Sequence, residues 1–190
     1  MNKYYYLGGK RYRNSVFAYS EIDTASPEMD LLPKLVKMTK LNFSFILKKN
    51  TKIKIEDTKN IWVDYQPNDY AWPLMSEKLK SIINDRLTGK EKIVWMEVII
   101  KSGKEKRLYF IPRFEKKLDV LDKAKTQYGD RKGSIIIPAF LKEKVIKYSM
   151  FFTPQEFWQI SPDIIVVEEI KKAIQKEKLT GIVFEEAKVT

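Results

Sequence analysis

The chain has 190 residues, 44% of them apolar, 13% aromatic and 32% charged, with a net charge of +11; that is the composition of a globular protein rather than a disordered one. A domain of this size buries about 70% of its unfolded surface, and no apolar run approaches the roughly 20 residues of a membrane helix. Histidine and cysteine are both absent, which removes Ser/His/Asp and Cys/His nucleophile systems, the usual zinc ligand sets and thiol redox chemistry. Any remaining chemistry must use carboxylates, Lys, Tyr or a carboxylate-held magnesium, and no constellation with a recognisable spacing for it is present.

Taken in chain order, Tyr4 to Leu7 and Val16 to Tyr19 read as short strands separated by a turn at Gly8-Gly9. The stretch from Met1 to Asn14 lacks the apolar region and cleavage site of a secretory signal, so a cytoplasmic location is expected. Glu21 to Pro33, with two prolines, reads as a long loop. Leu41, Phe43, Phe45 and Leu47 fall at a period of two, the pattern of a half-buried strand, and Ile53, Ile55 and Ile61 to Val63 continue it. Tyr65, Tyr70 and Trp72 then cluster with Pro67, Asn68 and Pro73, where regular structure is disfavoured. Aromatics on a rigid loop suit a partner hot spot; the alternative is that Trp72 packs on Leu74 as a lid over the core. Trp62 and Trp95 sit in strand patterns and read as core.

Ser76 can cap a helix whose Leu79, Ile82, Ile83 and Leu87 share one face, with Gly89 ending it in a left-handed conformation. Ile93 to Ile100 and Arg107 to Ile111, joined through Ser102-Gly103, predict a hairpin. Lys123 to Gly133 reads as a polar loop, and Ser134 to Ala139 and Val145 to Phe152 as strands. Four consecutive β-branched residues, Ile164 to Val167, predict a buried strand leading into a second helix with Ile170, Ala173, Ile174 and Glu177 on its inner stripe. Gly181 precedes a last strand, Ile182 to Phe184.

The two helical segments echo each other. Ser76 to Gly89 (SEKLKSIINDRLTG) aligns without gaps on Glu168 to Gly181 (EEIKKAIQKEKLTG), with six of fourteen positions identical and the ending Leu-Thr-Gly shared. A helix, a glycine stop and a strand therefore form a unit used twice. The expected fold is α+β, with a mixed or largely antiparallel sheet packed by these two units in a single domain over 1–190.

From Lys101 to Lys147 there are 14 basic and six acidic residues, an excess of eight positive charges. Tyr109, Phe110, Phe114 and Tyr128 interleave with them, and basic groups mixed with aromatics are what single-stranded nucleic acid binding uses. An acidic protein partner fits the same charge, and so does a plain solvated face. The carboxylate pairs Glu168-Glu169 and Glu185-Glu186 point to different sides of their elements and read as solvated structural groups, which leaves a carboxylate-dependent hydrolase or transferase as the remaining alternative.

The stretches WPLMSEKLKSII, LYFIPRFEKKLDVLD and IVVEEIKKAIQKEKLTGIVFEEAKV, from about Tyr70 to Val189, resemble a bacterial family first catalogued as a domain of unknown function and later grouped with polymorphic-toxin immunity proteins. The resemblance rests on Ser76-Glu77, on Tyr109 with Leu118 to Asp122, and on Thr180-Gly181 with Phe184. It departs at Glu168, where the family commonly has serine, and the first 65 residues carry none of it. It implies a cytoplasmic protein that binds and neutralises a cognate toxin domain, with no catalytic residues; no cofactor, metal or membrane association is expected from the composition. An acidic toxin agrees with the charge. The candidate contact residues are Tyr65, Tyr70, Trp72, Arg107, Arg113, Tyr128 and Arg131.

Overall fold

A computed structural model describes residues 3–10, 16–20, 43–48, 62–130, 134–155 and 158–190, with 43–48 described as backbone. The elements in chain order are β1 (Tyr4–Gly9), β2 (Phe17–Ser20), β3 (Phe43–Lys48), β4 (Tyr65–Gln66), β5 (Leu74–Ser76), α1 (Glu77–Asn84), β6 (Ile93–Ser102), β7 (Glu105–Phe114), β8 (Gln127–Tyr128), β9 (Ile135–Ile137), α2 (Lys142–Val145), β10 (Met150–Phe152), a 3-10 turn (Trp158–Ile160), β11 (Ile164–Val167), α3 (Glu168–Lys176) and β12 (Ile182–Glu186). They form a six-stranded sheet in the order β2-β3-β6-β7-β5-β4, a four-stranded sheet in the order β10-β11-β1-β12, and the pair β8-β9. Every described strand pairing is antiparallel except that of β3 with β6. The fold is α+β with largely antiparallel sheets.

Local sequence explains the regular parts. The β6–β7 hairpin turns at Gly103, where φ is +58°, and Met96, Val98 and Ile100 alternate inward while Glu97 and Ile99 face out. In α1 the Ser76 hydroxyl accepts the Leu79 N–H at 3.2 Å, and Leu79 and Ile83 are buried. Helix α3 has Val167 at its cap position and no side-chain cap. It relies instead on Glu168 and Glu169 in the first turn, which complement the positive end of the helix dipole, and on the inward face of Ile170 and Ile174.

The sequence echo is one part of a larger repeat. Strand β5 runs directly into α1 and β11 directly into α3. Within their sheets, β6-β7-β5-β4 follow the same antiparallel order as β12-β1-β11-β10. The place of β7 in the second unit is taken by β1, from the opposite end of the sequence. The two helices pack together head to tail, with ion pairs Lys78–Glu177 at 2.9 Å and Arg86–Glu169 at 3.7 Å. Such exposed pairs contribute under about 1 kcal/mol each.

The shared Leu-Thr-Gly step also has a structural use. Helix α1 ends at Asn84 and α3 at Lys176, so neither glycine is the helix stop expected of it. Both glycines do take left-handed backbone, φ +78° at Gly89 and +74° at Gly181, in the turns beyond. Ahead of each glycine, a threonine clasps a carboxylate. Thr180 donates its N–H and hydroxyl to Asp64 Oδ2 at 2.8 and 2.9 Å, and Asp64 Oδ1 accepts the Ser76 hydroxyl at 2.8 Å. Thr88 donates likewise to Glu91 at 3.2 and 2.9 Å, while the Ser149 N–H reaches Glu91 at 2.7 Å. Glu91 is fully buried, and its neutral donors replace the water it gives up.

One core cluster draws on both sheets, bringing Tyr4, Leu7, Phe151, Phe152 and Ile164 to Val166 against Met75, Leu79, Ile83 and Phe114. The rings of Phe114 and Phe152 lie 4.4 Å apart between centroids. A second cluster lines the other face of the large sheet, with Met96, Val98, Ile100 and Ile111 packed on Trp72, Leu74, Ala18 and Ile160. Each such buried side chain contributes about 1.5–3 kcal/mol. Gly8 and Gly9 continue β1 instead of turning it, Val145 ends α2 instead of opening a strand, and Gln127-Tyr128 pair with β9 inside the expected loop. The expectations for Glu21 to Pro33, for Leu41 and for Ile53, Ile55 and Ile61 lie outside the described residues.

Candidate partner-binding surfaces

The loop between β4 and β5 buries most of its aromatic cluster. Tyr65 and Trp72 are each only 4% exposed, because Tyr65 belongs to the two-sheet core and Trp72 covers Leu74 in the second cluster. For Trp72 the lid arrangement is the observed one. Burial first and the Asp163 charge second push the Tyr65 hydroxyl well above its usual range. Asn68 fixes the loop by donating to the Trp72 carbonyl at 2.6 Å and accepting the Trp72 N–H at 3.1 Å. Half-buried Tyr70 stacks on Trp72 at 5.0 Å, and Ala71 between them takes a left-handed φ of +55°, which costs about 1–2 kcal/mol for a residue with a Cβ.

On the β6–β7 hairpin, the exposed Arg107 is held rather than free. Its guanidinium bonds Glu105 at 2.8 and 2.9 Å and lies 4.6 Å over the Trp62 ring. The Trp62 N–H donates to the same carboxylate at 2.9 Å. That bond, and then Arg107, hold the Glu105 carboxyl below its usual range. Arg113, half-buried and 3.6 Å from Glu115, is six residues further along β7, about 20 Å away, so the two arginines do not converge. Three of the four aromatics interleaved with the basic run, Tyr109, Phe110 and Phe114, are buried. They offer no platform for base stacking, and the nucleic-acid reading loses its aromatic half. What the outer face of the hairpin presents is a cross-strand apolar pair, Ile99 opposite Leu108, both exposed, with Lys101 opposite Lys106 beyond it.

Tyr128 stands on the β8–β9 arm with Ile136 and Ile137, and Ile136 is 66% exposed. Arg131 lies outside the described residues. Between the arm and the edge of the four-stranded sheet is an open cleft of about 510 Å³ whose lining among the described residues includes Asp163, Glu185, Glu186 and Lys188, with Glu186 ion-paired to Lys3 at 3.7 Å. Burial raises the Asp163 carboxyl above its usual range, and Gln155 donates to it at 3.2 Å. The Tyr6 hydroxyl is pushed up to about 12, by burial first and the Asp163 charge next, with the Thr153 hydroxyl opposing; it stays protonated at neutral pH. Thr153 is 1% exposed, and its hydroxyl faces the Tyr6 hydroxyl inside the wall of the cleft. Among the described residues, no group of three or more acidic side chains is placed to hold a metal ion.

Sequence reasoning read Glu185 and Glu186 as solvated structural carboxylates and did not single out Thr153 or Asp163. No local signal marks this cleft, because its walls come from β1, β9, β12 and from Thr153, Gln155, Pro162 and Asp163, and only the folded chain brings them together.

No helix among the described residues is long and apolar enough to cross a membrane. A search of curated proteins finds no match to the chain. Residues 28–189 match the Immunity protein family (Imm11), and the match begins well before Tyr70, taking in a segment that carries no readable resemblance by itself. With most of its length covered by that match, this α+β chain with its repeated strand–helix–strand units belongs to the Imm11 family of immunity proteins.

Proposed function

We propose that the chain is a non-catalytic immunity protein that binds and neutralises a cognate bacterial toxin domain in the cytoplasm. The observation that carries this reading is the family match over residues 28–189. The net charge of +11 supports an acidic toxin domain, because a field of that sign speeds the encounter with an anionic surface and suppresses wrong partners. Affinity then comes from apolar anchors inside the charged surface. Ile99 and Leu108 on the β6–β7 hairpin have that character, Arg107 adds charge from the hairpin's opposite face, and half-buried Tyr70 and exposed Tyr128 serve the same role elsewhere. Arg113 and Arg131 remain candidates for the charged rim, and Trp72 acts from behind as the ring on which Tyr70 stacks, while Tyr65 serves the core.

The test is co-expression with the toxin domain encoded beside this gene. Growth should be restored by the immunity chain, and a stable complex of the two should be recovered by size-exclusion chromatography. Toxicity unrelieved by the chain, or relieved without any complex, refutes inhibition by binding.

A further inference from the structure

We propose that the toxin domain docks on the first of the two repeat units alone, presenting an acidic segment with apolar side chains to the face of the β6–β7 hairpin that extends past α1; the assignment rests on the immunity reading and deepens it. The repeat supplies an internal comparison, because its two units can be matched residue by residue. Ser76 and Val167 hold the cap positions of α1 and α3. Ser76 pairs with Tyr109, itself opposite Val98, and Val167 pairs with Tyr4, whose carbonyl accepts the Ala187 N–H. Tyr109, Val98, Tyr4 and Ala187 are all buried. One step toward the helix the units still agree: Lys80 lies 3.7 Å over the Phe110 ring and Lys171 lies 3.5 Å over the Tyr5 ring, each lysine four residues past its cap.

One step the other way they part. The second unit has Lys3 and Lys188 there, both exposed, which is the kind of residue a position left to water ordinarily carries. The first unit has Leu108 and Ile99, directly opposite each other and 44% and 39% exposed. Since the same scaffold accepts lysine at this place, the fold itself does not require apolar side chains there, and the pair is apolar surface kept for a partner. Charge names that partner. Lys106 follows Leu108 on the same face, opposite Lys101, and Lys104 lies in the turn beyond. Toward the helix the face carries Lys80 and one carboxylate, Glu97. An apolar side chain flanked by carboxylates complements this arrangement. A second copy of the chain does not, because two such faces would bring their lysines together, and like charges in contact oppose association. The matching face of the second unit has lysines where the anchors would be, so one chain takes one toxin domain.

To test this, the neighbouring toxin domain is titrated calorimetrically against the wild-type chain and three variants, with melting temperatures recorded for each. Ile99→Lys/Leu108→Lys installs the residues of the second unit. Ile99→Thr/Leu108→Thr removes the apolar surface without adding charge and keeps residues suited to strands, and Lys3→Gln/Lys188→Gln alters the matching face. The expected result is one toxin domain per chain, at least a tenfold loss of affinity in both hairpin variants at unchanged melting temperature, and less than a twofold change in the third. Should the lysine variant fail to fold, the threonine variant decides. If the wild-type chain does not bind, the immunity reading falls and this site with it; if it binds and the threonine variant binds as tightly, the hairpin assignment alone is overturned. Two toxin domains per chain, or an equal loss in Lys3→Gln/Lys188→Gln, overturns the restriction to one unit. Size-exclusion chromatography of the free chain tests the other occupant: a dimer that Ile99→Thr/Leu108→Thr dissolves would assign the face to a second copy and overturn its assignment to the toxin.

Discussion

Gly89 and Gly181 occupy the same position in the two copies of the Leu-Thr-Gly step, yet replacing each with alanine should have very different consequences. Both have a left-handed backbone, at φ +78° and +74°, so alanine strains each site by about 1–2 kcal/mol. At Gly89 a new Cβ meets nothing within 4 Å, and that strain is the whole cost. At Gly181 the Cβ would lie 2.7 Å from the Tyr65 carbonyl oxygen and 2.8 Å from Val63 Cβ, atoms that cannot rotate away. Overpacking of that kind adds about 1–3 kcal/mol. Relieving it by moving the turn disturbs the bonds from Tyr65 N–H to the Thr180 carbonyl and from Lys10 N–H to the Gly181 carbonyl, 3.2 and 2.8 Å long, each contributing about 1 kcal/mol. Gly181→Ala should therefore lose about 4 kcal/mol and Gly89→Ala about 1. For a chain of this length a kilocalorie corresponds to about 2–4 °C in Tm, so the melting points should fall by about 12 °C and about 3 °C. Urea unfolding followed by the fluorescence of the four tryptophans gives the same comparison as free energies. Equal losses in the two variants would refute the packing argument.

Glu91→Gln should destabilise the fold by about 2–3 kcal/mol in urea unfolding, because a buried amide turns its NH2 toward donors that now lack an acceptor; an unchanged midpoint contradicts the clasp. Asp122 is held below its usual range, chiefly by the Thr190 hydroxyl and further by the backbone N–H groups of Ala124 and Lys125, with burial opposing. A depressed folded value stabilises the protein above the unfolded carboxyl value of about 3.9 and is lost as pH falls through the folded one. Asp122→Asn should accordingly flatten the acid limb of a Tm-against-pH curve below about pH 4, and parallel curves for variant and wild type would count against it. Leu108→Asp, on the exposed hairpin face, should leave stability within about 0.5 kcal/mol while weakening capture of the toxin domain at least tenfold. Undiminished binding would remove the hairpin from the interface.

The parts of this protein legible from local pattern were those whose burial depends on their own neighbours. The β6–β7 hairpin follows from β-branched runs around Gly103, and α1 and α3 from apolar residues spaced along one face with Ser76 as a cap. The same reasoning left Trp72 between a partner hot spot and a lid over Leu74, and the inner face of β6 supplies the place where it is buried as the lid; Tyr65 goes instead into the two-sheet core, which no local pattern marks.

The amino-acid sequence by itself determined the class of the fold, the repeated helical unit and the absence of histidine and cysteine chemistry, since composition and short-range periodicity carry those properties. Only the tertiary structure decided that β1 closes the second unit from the far end of the chain, that Gly181 is walled in while Gly89 is open, and that Asp163 and Glu185, from separate segments, line one cleft. The reason is physical: strand pairing, close approach and shared desolvation act between residues distant in sequence, and no window along the chain contains both partners.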